Sequence, residues 1–309
     1  MELQKKQMAQ AAVLYYEKKY TQQEIAKIMD LSRQTVSKLL NDAVRENIVE
    51  IKIHDPENYC TELSEKMCDV FGLKDALVCG VSNTNASLRQ LMTVKTAAKY
   101  ILPIIEKGGK NIALSWGRTI RALIDELPKN VGTDNIVFPL FGATDQVEAN
   151  YLSNELARGF ADKIGAKVSY AWFPYRPDSA DDCELFKRTS YYKTINKLWN
   201  NIDTAIVGIG NIAVLESFEN IFGYNKKRAS AIGDISTHFF TADGKIMSLY
   251  ENTLCATEQN LRNAGQTIAV ACGDDKVQAI VGALRTGIID TIITDEYTAR
   301  LVLDRVKMI

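Results

Sequence analysis

From about residue 75 onward, short runs of β-branched and other apolar residues alternate with segments whose apolar residues recur at helical spacing. The runs, which we predict to be strands, span residues 76–79, 111–116, 135–141, 167–173, 203–209, 266–272 and 290–294. The helical patterns around them span residues 88–105, 120–127, 151–164, 185–199, 276–285 and 296–306. Alternating strands and helices form parallel β-α-β units, and strands that are apolar throughout are typical of sheets covered on both faces. The pattern therefore predicts a mostly parallel α/β sandwich over residues 56–309.

Composition and charge narrow the classes of protein to which the chain can belong. The 309 residues are enough for two domains, and a formal net charge of −1 means that any nucleic-acid binding must come from a local surface. The N-terminus lacks the long apolar run of a signal peptide, and no window approaches the roughly 20 apolar residues of a membrane span. Six cysteines without C-x-x-C spacing and only two histidines do not form a zinc site. We expect a cytoplasmic protein with reduced cysteines, no metal and no membrane partner.

The first 55 residues have a different pattern, in which three short helical segments follow one another closely. Thr21 is predicted to cap the second helix, because Glu24 follows three residues later and completes a capping box. Ser32 is predicted to cap the third helix. The run 48–53 then alternates apolar and polar residues as a half-exposed strand does, and a helix over residues 58–71 is predicted to join this region to the α/β domain. This order predicts a winged helix-turn-helix.

The window 22–41 meets the steric requirements of a helix-turn-helix. Ala26 is small where the two helices cross, Asp30 tolerates the positive φ of the turn, and Val36 is branched where the second helix faces the first. The residues expected to reach DNA lie at the start of the third helix and are Ser32, Arg33, Gln34, Thr35, Ser37 and Lys38. Such a start normally enters the major groove, so operator DNA is the expected partner, bound by a dimer or larger homo-oligomer. The alternative is a helical unit that serves packing alone.

Several segments carry a resemblance to a known family, and they occur in the family's order. They are residues 15–26, 31–40, 115–119, 207–210, 233–235, 239–240, 276–284, 294–295 and 298–299. On these segments, which span nearly the whole chain, the sequence resembles the SorC-type sugar-responsive transcriptional regulators of bacteria. The resemblance implies a large domain similar in fold to sugar-phosphate isomerases, a phosphorylated sugar as the effector, and regulation of an operator, usually by tetramers.

The segment 115–119 suits an anion independently of that resemblance. It lies between a predicted strand and a predicted helix, where parallel sheets bind ligands and helix N-termini offer free N–H groups. Gly117, next to Trp116, lets the backbone approach a ligand, Ser115 and Thr119 supply hydroxyls, and Arg118 supplies charge. We predict a phosphate site here, with an ordinary strand-to-helix turn as the alternative.

Other candidate effector residues follow later strands. Lys276 is at a strand-to-helix junction, where it either reaches the phosphate or is a solvated first-turn lysine. The resemblance makes Asp234 a hydroxyl-binding acid, and Gly210 is expected to let the backbone approach the sugar. Some members form a Schiff base through a lysine in the loop after the third strand. Here that loop holds Gly142 and Phe141, and Phe141 is expected to pack against the sugar. Because the amine is missing, a noncovalent effector is expected.

Two other functions remain open. A sugar-phosphate isomerase needs a positioned acid and base, and Asp234 and His238 are close enough in sequence to form a dyad. A dinucleotide-binding sensor would use the glycines of the segment 208–213, which fits G-x-G-x-x-A. However, a ribose-binding acid should end the next strand about 20 residues on, and the acids here come too early. We therefore expect neither catalytic residues nor a cofactor.

Overall fold

The computed structural model describes residues 2–49, 59–81, 85–132, 134–144, 152–212 and 230–307. The chain divides into two compact units, Met1–Glu57 and Asn58–Ile309. No helix among the described residues is both long and apolar enough to cross a membrane. All six cysteines are free, and Cys79 and Cys183 are buried.

The described part of the N-terminal unit contains three helices, with the caps that the sequence predicts. The helices are α1 (Glu2–Ala12), which continues as a π-helical turn (Val13–Glu17), α2 (Gln22–Ile28) and α3 (Arg33–Arg45). The Thr21 hydroxyl accepts a 3.3 Å hydrogen bond from the Glu24 N–H, while the Glu24 carboxylate accepts a 2.8 Å bond from the Thr21 N–H. The Ser32 hydroxyl accepts from the Thr35 N–H at 3.0 Å. These bonds satisfy amide groups that a helix N-terminus otherwise leaves unpaired.

The turn between α2 and α3 has the geometry that a helix-turn-helix requires. Asp30 has a φ of 53°, in the left-handed region. The three helices enclose a small apolar core formed by Met8, Ala11, Ala12, Ile25, Ala26, Val36, Leu39, Leu40 and Ala43. The predicted strand over residues 48–53 lies mostly outside the described residues. Ile48 and Val49, which are described, form a bend in which both amides donate to the Ala43 carbonyl.

The second unit contains nine described helices and eleven described strands. The helices are α4 (Thr61–Phe71), α5 (Ala86–Glu106), α6 (Arg118–Glu126), α7 (Ser153–Ile164), α8 (Ala180–Arg188), α9 (Ser190–Trp199), α10 (Glu258–Arg262), α11 (Val277–Arg285) and α12 (Glu296–Lys307). The strands are β1 (Asp75–Cys79), β2 (Asn111–Leu114), β3 (Ile136–Pro139), β4 (Lys167–Val168), β5 (Thr204–Gly208), β6 (Gly210–Asn211), β7 (Gly233–Ile235), β8 (His238–Phe240), β9 (Ile246–Met247), β10 (Gln266–Val270) and β11 (Thr291–Asp295).

Seven of these strands form one sheet in the order β1-β11-β10-β5-β2-β3-β4, and every pairing in it is parallel. Apolar side chains cover both faces, since Ile206 belongs to one core cluster while its strand neighbours Ala205 and Val207 belong to the other. All seven predicted strands are therefore present, and the predicted α/β sandwich is confirmed. β4 is shorter than predicted, because as an edge strand it pairs only with β3.

Two features differ from the sequence prediction. The helix predicted over residues 185–199 is two helices, because Thr189 has an extended backbone and its hydroxyl caps α9 by accepting from the Tyr192 N–H. A second sheet of four antiparallel strands, β6-β7-β8-β9, was not predicted. Its strands are two or three residues long, which is too short to give a periodic pattern.

Candidate functional site

The start of α3 presents a polar surface in the N-terminal unit. Arg33, Gln34 and Lys38 are exposed, and Ser37 is half-buried, whereas Val36 between them is fully buried. The hydroxyls of Ser32 and Thr35 hydrogen-bond to each other at 2.8 Å. Of the six residues predicted to reach DNA, these two therefore take part in capping the helix that presents the others.

The electrostatics of this surface favour an anion. The first turn of α3 contains no acidic residue. Asp42, further along the helix, is buried and lies 2.8 Å from the Arg45 guanidinium. The positive end of the helix dipole adds to the charge of Arg33. Phosphate groups of a duplex are the ligands that such a helix start accepts.

In the second unit, strand order predicts a ligand crevice at the carboxyl edge of the large sheet. β5 is the central strand and lies between β2 and β10. The chain continues from β2 to β3 on one side, but from β5 to β10 on the other, so the order reverses between β2 and β5. Open α/β sheets bind ligands at the carboxyl ends of the strands at such a reversal. The predicted effector residues follow β2, β3, β5 and β10, or lie on β7, which pairs with β6 directly after β5.

The β2–α6 loop is open to a ligand at Gly117. Gly117 has a φ of 106°, a conformation that favours glycine, and a Cβ atom at this position would meet nothing within 4 Å. No side chain caps the N-terminus of α6, where Arg118 is exposed and Thr119 is half-buried. The first amides of α6 and the Arg118 guanidinium can therefore face the same anion.

Ser115 has a structural role in addition to its predicted position in this loop. Its side chain is buried, and its hydroxyl accepts a 3.0 Å hydrogen bond from the Gly208 N–H. The Ser115 amide in turn donates to the Ile206 carbonyl at 3.0 Å. These bonds extend the pairing of β2 with β5 up to the crevice, so the hydroxyl that the sequence assigned to the ligand also holds the two strands together.

Lys276 and Arg118 follow different strands but interact electrostatically. The Lys276 side chain is half-buried, and burial lowers its pKa, with repulsion from Arg118 as a smaller contribution in the same direction. The carboxylates of Asp275 and Asp234 act in the opposite direction. An anion bound between the two cations would relieve their repulsion.

A buried arginine holds the loop that carries Lys276. The Arg89 guanidinium is 3% exposed and lies 2.5 Å from the Asp274 carboxylate and 3.6 Å from that of Asp295. It also lies over the Tyr297 ring, 4.5 Å from the ring centroid. A buried charge needs such partners, and these contacts fix the short 3-10 turn Asp274–Lys276 against the core.

Asp234 lies on the small sheet with its carboxylate over Gly210. The two residues are paired across β6 and β7, and a Cβ atom on Gly210 would clash with an Asp234 carboxylate oxygen. Asp234 is buried, and burial raises the pKa of its carboxyl to about 6. Its carboxylate accepts from the Thr237 N–H at 3.2 Å and is attracted by Lys276. Gly210 therefore makes room for the acid.

Three aromatic rings form the wall next to the β2–α6 loop. The Phe141 ring is 6.0 Å from the Trp116 ring and 5.5 Å from the Tyr175 ring, both edge-on. Phe141 is 1% exposed, so the half-buried Trp116 is better placed to contact a sugar. The Gly142 amide donates to the Leu254 carbonyl at 2.9 Å. The sequence analysis missed Tyr175, because no strand or helix pattern singles it out.

The geometry argues against the two other functions. His238 pairs with Ile235, one position away from the Asp234–Phe239 pair, so His238 and Asp234 point to opposite faces of the hairpin. The His238 ring bonds to the Ala256 carbonyl at 2.9 Å, and no Asp234–His238 dyad forms. In the dinucleotide-binding motif the glycines open a helix, whereas Gly210 here begins strand β6.

Comparisons with known proteins agree with this geometry. Residues 55–304 match the Sugar-bind family of sugar-binding domains, and residues 7–46 match region 4 of sigma-70. The chain is 30% identical over 302 residues to the sorbitol operon regulator of Klebsiella pneumoniae, covering 94% of this chain and 96% of that protein. It is 28% identical to the deoxyribonucleoside regulator of Bacillus subtilis, covering 98% and 99%. The crystal structure of the full-length Klebsiella regulator SorC aligns with a TM-score of 0.74 and 29% identity, covering 96% of this chain and 97% of that one.

A helix-turn-helix together with an α/β sugar-binding domain defines a transcriptional regulator. The matching relatives are named as regulators too, so this chain is a regulator and not an enzyme. It belongs to the SorC family, and the resemblance drawn from its motifs is confirmed.

Proposed function

We propose that the chain is a cytoplasmic regulator whose binding to an operator is modulated by a phosphorylated sugar or polyol. In this proposal residues 1–55 bind DNA, and residues 56–309 bind the effector and assemble the homo-oligomer. The effector binds noncovalently at the carboxyl edge of the large sheet. The phosphate lies between Arg118 and Lys276, and the sugar hydroxyls reach Asp234.

The observation that supports the phosphate most directly is the electrostatic interaction of two cations, one of which belongs to an open loop. Arg118 is the first residue of α6, whose N-terminus no side chain caps, and Lys276 is close enough for the two cations to repel each other. A dianionic phosphate satisfies both cations and the free amides at once, and a neutral sugar satisfies neither.

A thermal-shift screen of sugar and polyol phosphates tests this proposal, with the unphosphorylated form of each compound as its matched control. A ligand that binds only the native state raises the melting temperature. We expect the phosphorylated member of at least one pair to raise the Tm, and its unphosphorylated partner to have little effect. Equal shifts for both members of every stabilising pair would contradict the phosphate site.

The Arg33→Ala variant tests the DNA-binding surface. If Arg33 reads a base edge, the variant should lose about 1–3 kcal/mol of operator affinity, measured by gel shift against operator and scrambled DNA. Lys27→Ala is the matched control, because Lys27 is an exposed cation on α2 and therefore lies outside α3. An Arg33→Ala variant that binds both DNAs like the wild type would exclude this role.

The expected oligomeric state follows from the small size of the DNA-contacting surface in one N-terminal unit. A single α3 contacts only a few base pairs, and dimers place two such helices about one helical turn of DNA apart. We expect light scattering to show a dimer or tetramer at micromolar concentration. A monomer with and without operator DNA would rule out this assembly.

A further inference from the structure

The turn between β7 and β8 combines two unusual features beside the proposed effector site. Ile235 and His238 are paired, so Ser236 and Thr237 form a two-residue hairpin loop. Both have positive φ values, 46° and 74°. Hairpin turns of this kind strongly prefer asparagine and glycine, and a β-branched residue with positive φ is a genuine outlier. Backbone strain of this sort concentrates at ligand sites.

The side chains of the turn are also unsatisfied. Ser236 is 3% exposed and Thr237 is 7% exposed. Neither hydroxyl makes a well-formed hydrogen bond to another described residue, although the Tyr175 and Cys255 side chains interact with that of Thr237. Buried hydroxyls without partners are rare in folded proteins, since burial without a hydrogen bond is costly. Packing alone would favour glycine and apolar residues at these two positions.

The position of the turn connects it to the ligand. The Thr237 N–H donates to the Asp234 carboxylate at 3.2 Å, and Asp234 is in turn attracted by Lys276. Asp234 therefore interacts both with Lys276 and with the turn. We expect a ligand with its phosphate at Lys276 and a hydroxyl at Asp234 to extend toward the two hydroxyls of the turn.

We propose that Ser236 and Thr237 hydrogen-bond to the hydroxyls at the end of the effector remote from its phosphate, and that they select a fully hydroxylated sugar or polyol phosphate over a deoxy analogue. This inference rests on the proposed function. The reason is the cost of unpaired groups: a deoxy ligand would close the site but leave the buried hydroxyls without partners. The effector supplies hydrogen bonds that the two hydroxyls do not form with other described residues.

The test compares two ligand pairs by calorimetry and thermal shift on the full-length protein. They are D-ribose 5-phosphate with 2-deoxy-D-ribose 5-phosphate, and D-glucose 6-phosphate with 2-deoxy-D-glucose 6-phosphate. The wild type should bind the hydroxylated member of at least one pair at least about tenfold more tightly than its deoxy partner. Ser236→Ala and Thr237→Gly should each reduce that preference severalfold.

Thr237→Gly also separates ligand recognition from a structural role. Glycine adopts the positive φ without strain and removes an unpaired hydroxyl, so the effector-free variant should melt about 2–4 °C higher than the wild type. A residue with only a structural role would raise the Tm and leave the ligand preference unchanged. Asn130→Gly is the matched control, because Asn130 also has a positive φ of 58° but precedes β3, at the opposite edge of the sheet. The Asn130→Gly variant should keep the wild-type preference for the hydroxylated ligand.

The outcomes distinguish this inference from the proposed function. Suppose that sugar phosphates bind, but either the wild type shows no preference for the hydroxylated ligand or both variants keep that preference. The proposed role of the turn is then wrong, while the phosphate site stands. If no phosphate in the two pairs or in the wider screen stabilises the wild type, the proposed function and this inference both fail.

Discussion

Replacing Lys276 with alanine is expected to weaken effector binding by about ten- to a hundred-fold, because a charge-assisted hydrogen bond to phosphate contributes about 1.5–3 kcal/mol. Effector-free operator binding should not change, since the N-terminal unit folds around its own apolar core. Calorimetry with the best stabilising sugar phosphate measures the first quantity, and a gel shift without effector measures the second. The loss should be smaller at high salt, which screens the interaction in the wild type.

Lys107→Ala is the matched control for this variant. Lys107 is an exposed lysine that ends α5, before β2, and therefore lies at the amino edge of the sheet, away from the crevice. The Lys107→Ala variant loses the same charge from the same unit but should bind the effector like the wild type. If Lys276→Ala binds and responds to the effector as well as Lys107→Ala does, the phosphate lies elsewhere.

The best stabilising sugar phosphate can also distinguish noncovalent from covalent binding. The loop after β3 holds Phe141, which has no amine, so borohydride treatment of the complex should leave the protein mass unchanged. Lys276 is the residue to examine if an adduct does form, because burial lowers its pKa and a neutral amine is the nucleophile. Peptide mapping of such an adduct would identify the lysine and overturn the noncovalent proposal.

Replacing Asp234 with asparagine should change affinity and stability in opposite directions. The variant keeps an oxygen that accepts from the Thr237 N–H but loses the charge that binds sugar hydroxyls, so effector affinity should fall at least about tenfold. At pH 7 the effector-free variant should nevertheless be more stable than the wild type, because it no longer buries an ionised carboxylate. The raised pKa, about 6 against an ordinary value of 3.8, corresponds to about 3 kcal/mol at most.

The pH dependence gives this prediction a definite sign. The Asp234 pKa is higher in the folded state than in the unfolded chain, so its stabilising contribution is complete below about pH 4 and is lost as the pH rises through about 6. Chemical denaturation of the wild type between pH 4 and 7 should show this loss, and the Asp234→Asn variant should show less of it. Parallel profiles for the two proteins would contradict the buried, ionisable role of Asp234.

Asp243→Asn is the control with the opposite sign. The Asp243 side chain is exposed, and a hydrogen bond from Thr241 lowers the pKa of its carboxyl. Any stability it contributes is present above its ordinary pKa and is lost as the pH falls. The control variant should therefore not reproduce the gain in stability at neutral pH, and its effector affinity should be unchanged.

The sequence by itself determined the features whose signals are local. The caps at Thr21 and Ser32 and the turn at Asp30 are decided by residues within one helical turn of each other, and each is present as predicted. The seven strands of the large sheet were also found, because a buried parallel strand is a continuous apolar run. Motifs spread along the whole chain were sufficient for the family.

Only the tertiary structure decided how the candidate site is assembled. Strand order places Arg118 and Lys276 on loops that flank the central strand β5. Tertiary contacts also put the Asp234 carboxylate over Gly210 and bury Phe141 behind Trp116. The short second sheet, the roles of Tyr175 and Ser115 and the unsatisfied turn at Ser236 and Thr237 had no signal in the sequence either. The physical reason is that these arrangements depend on contacts between residues far apart in the chain, which leave no period or spacing, whereas helices, caps and buried strands are determined by their immediate neighbours.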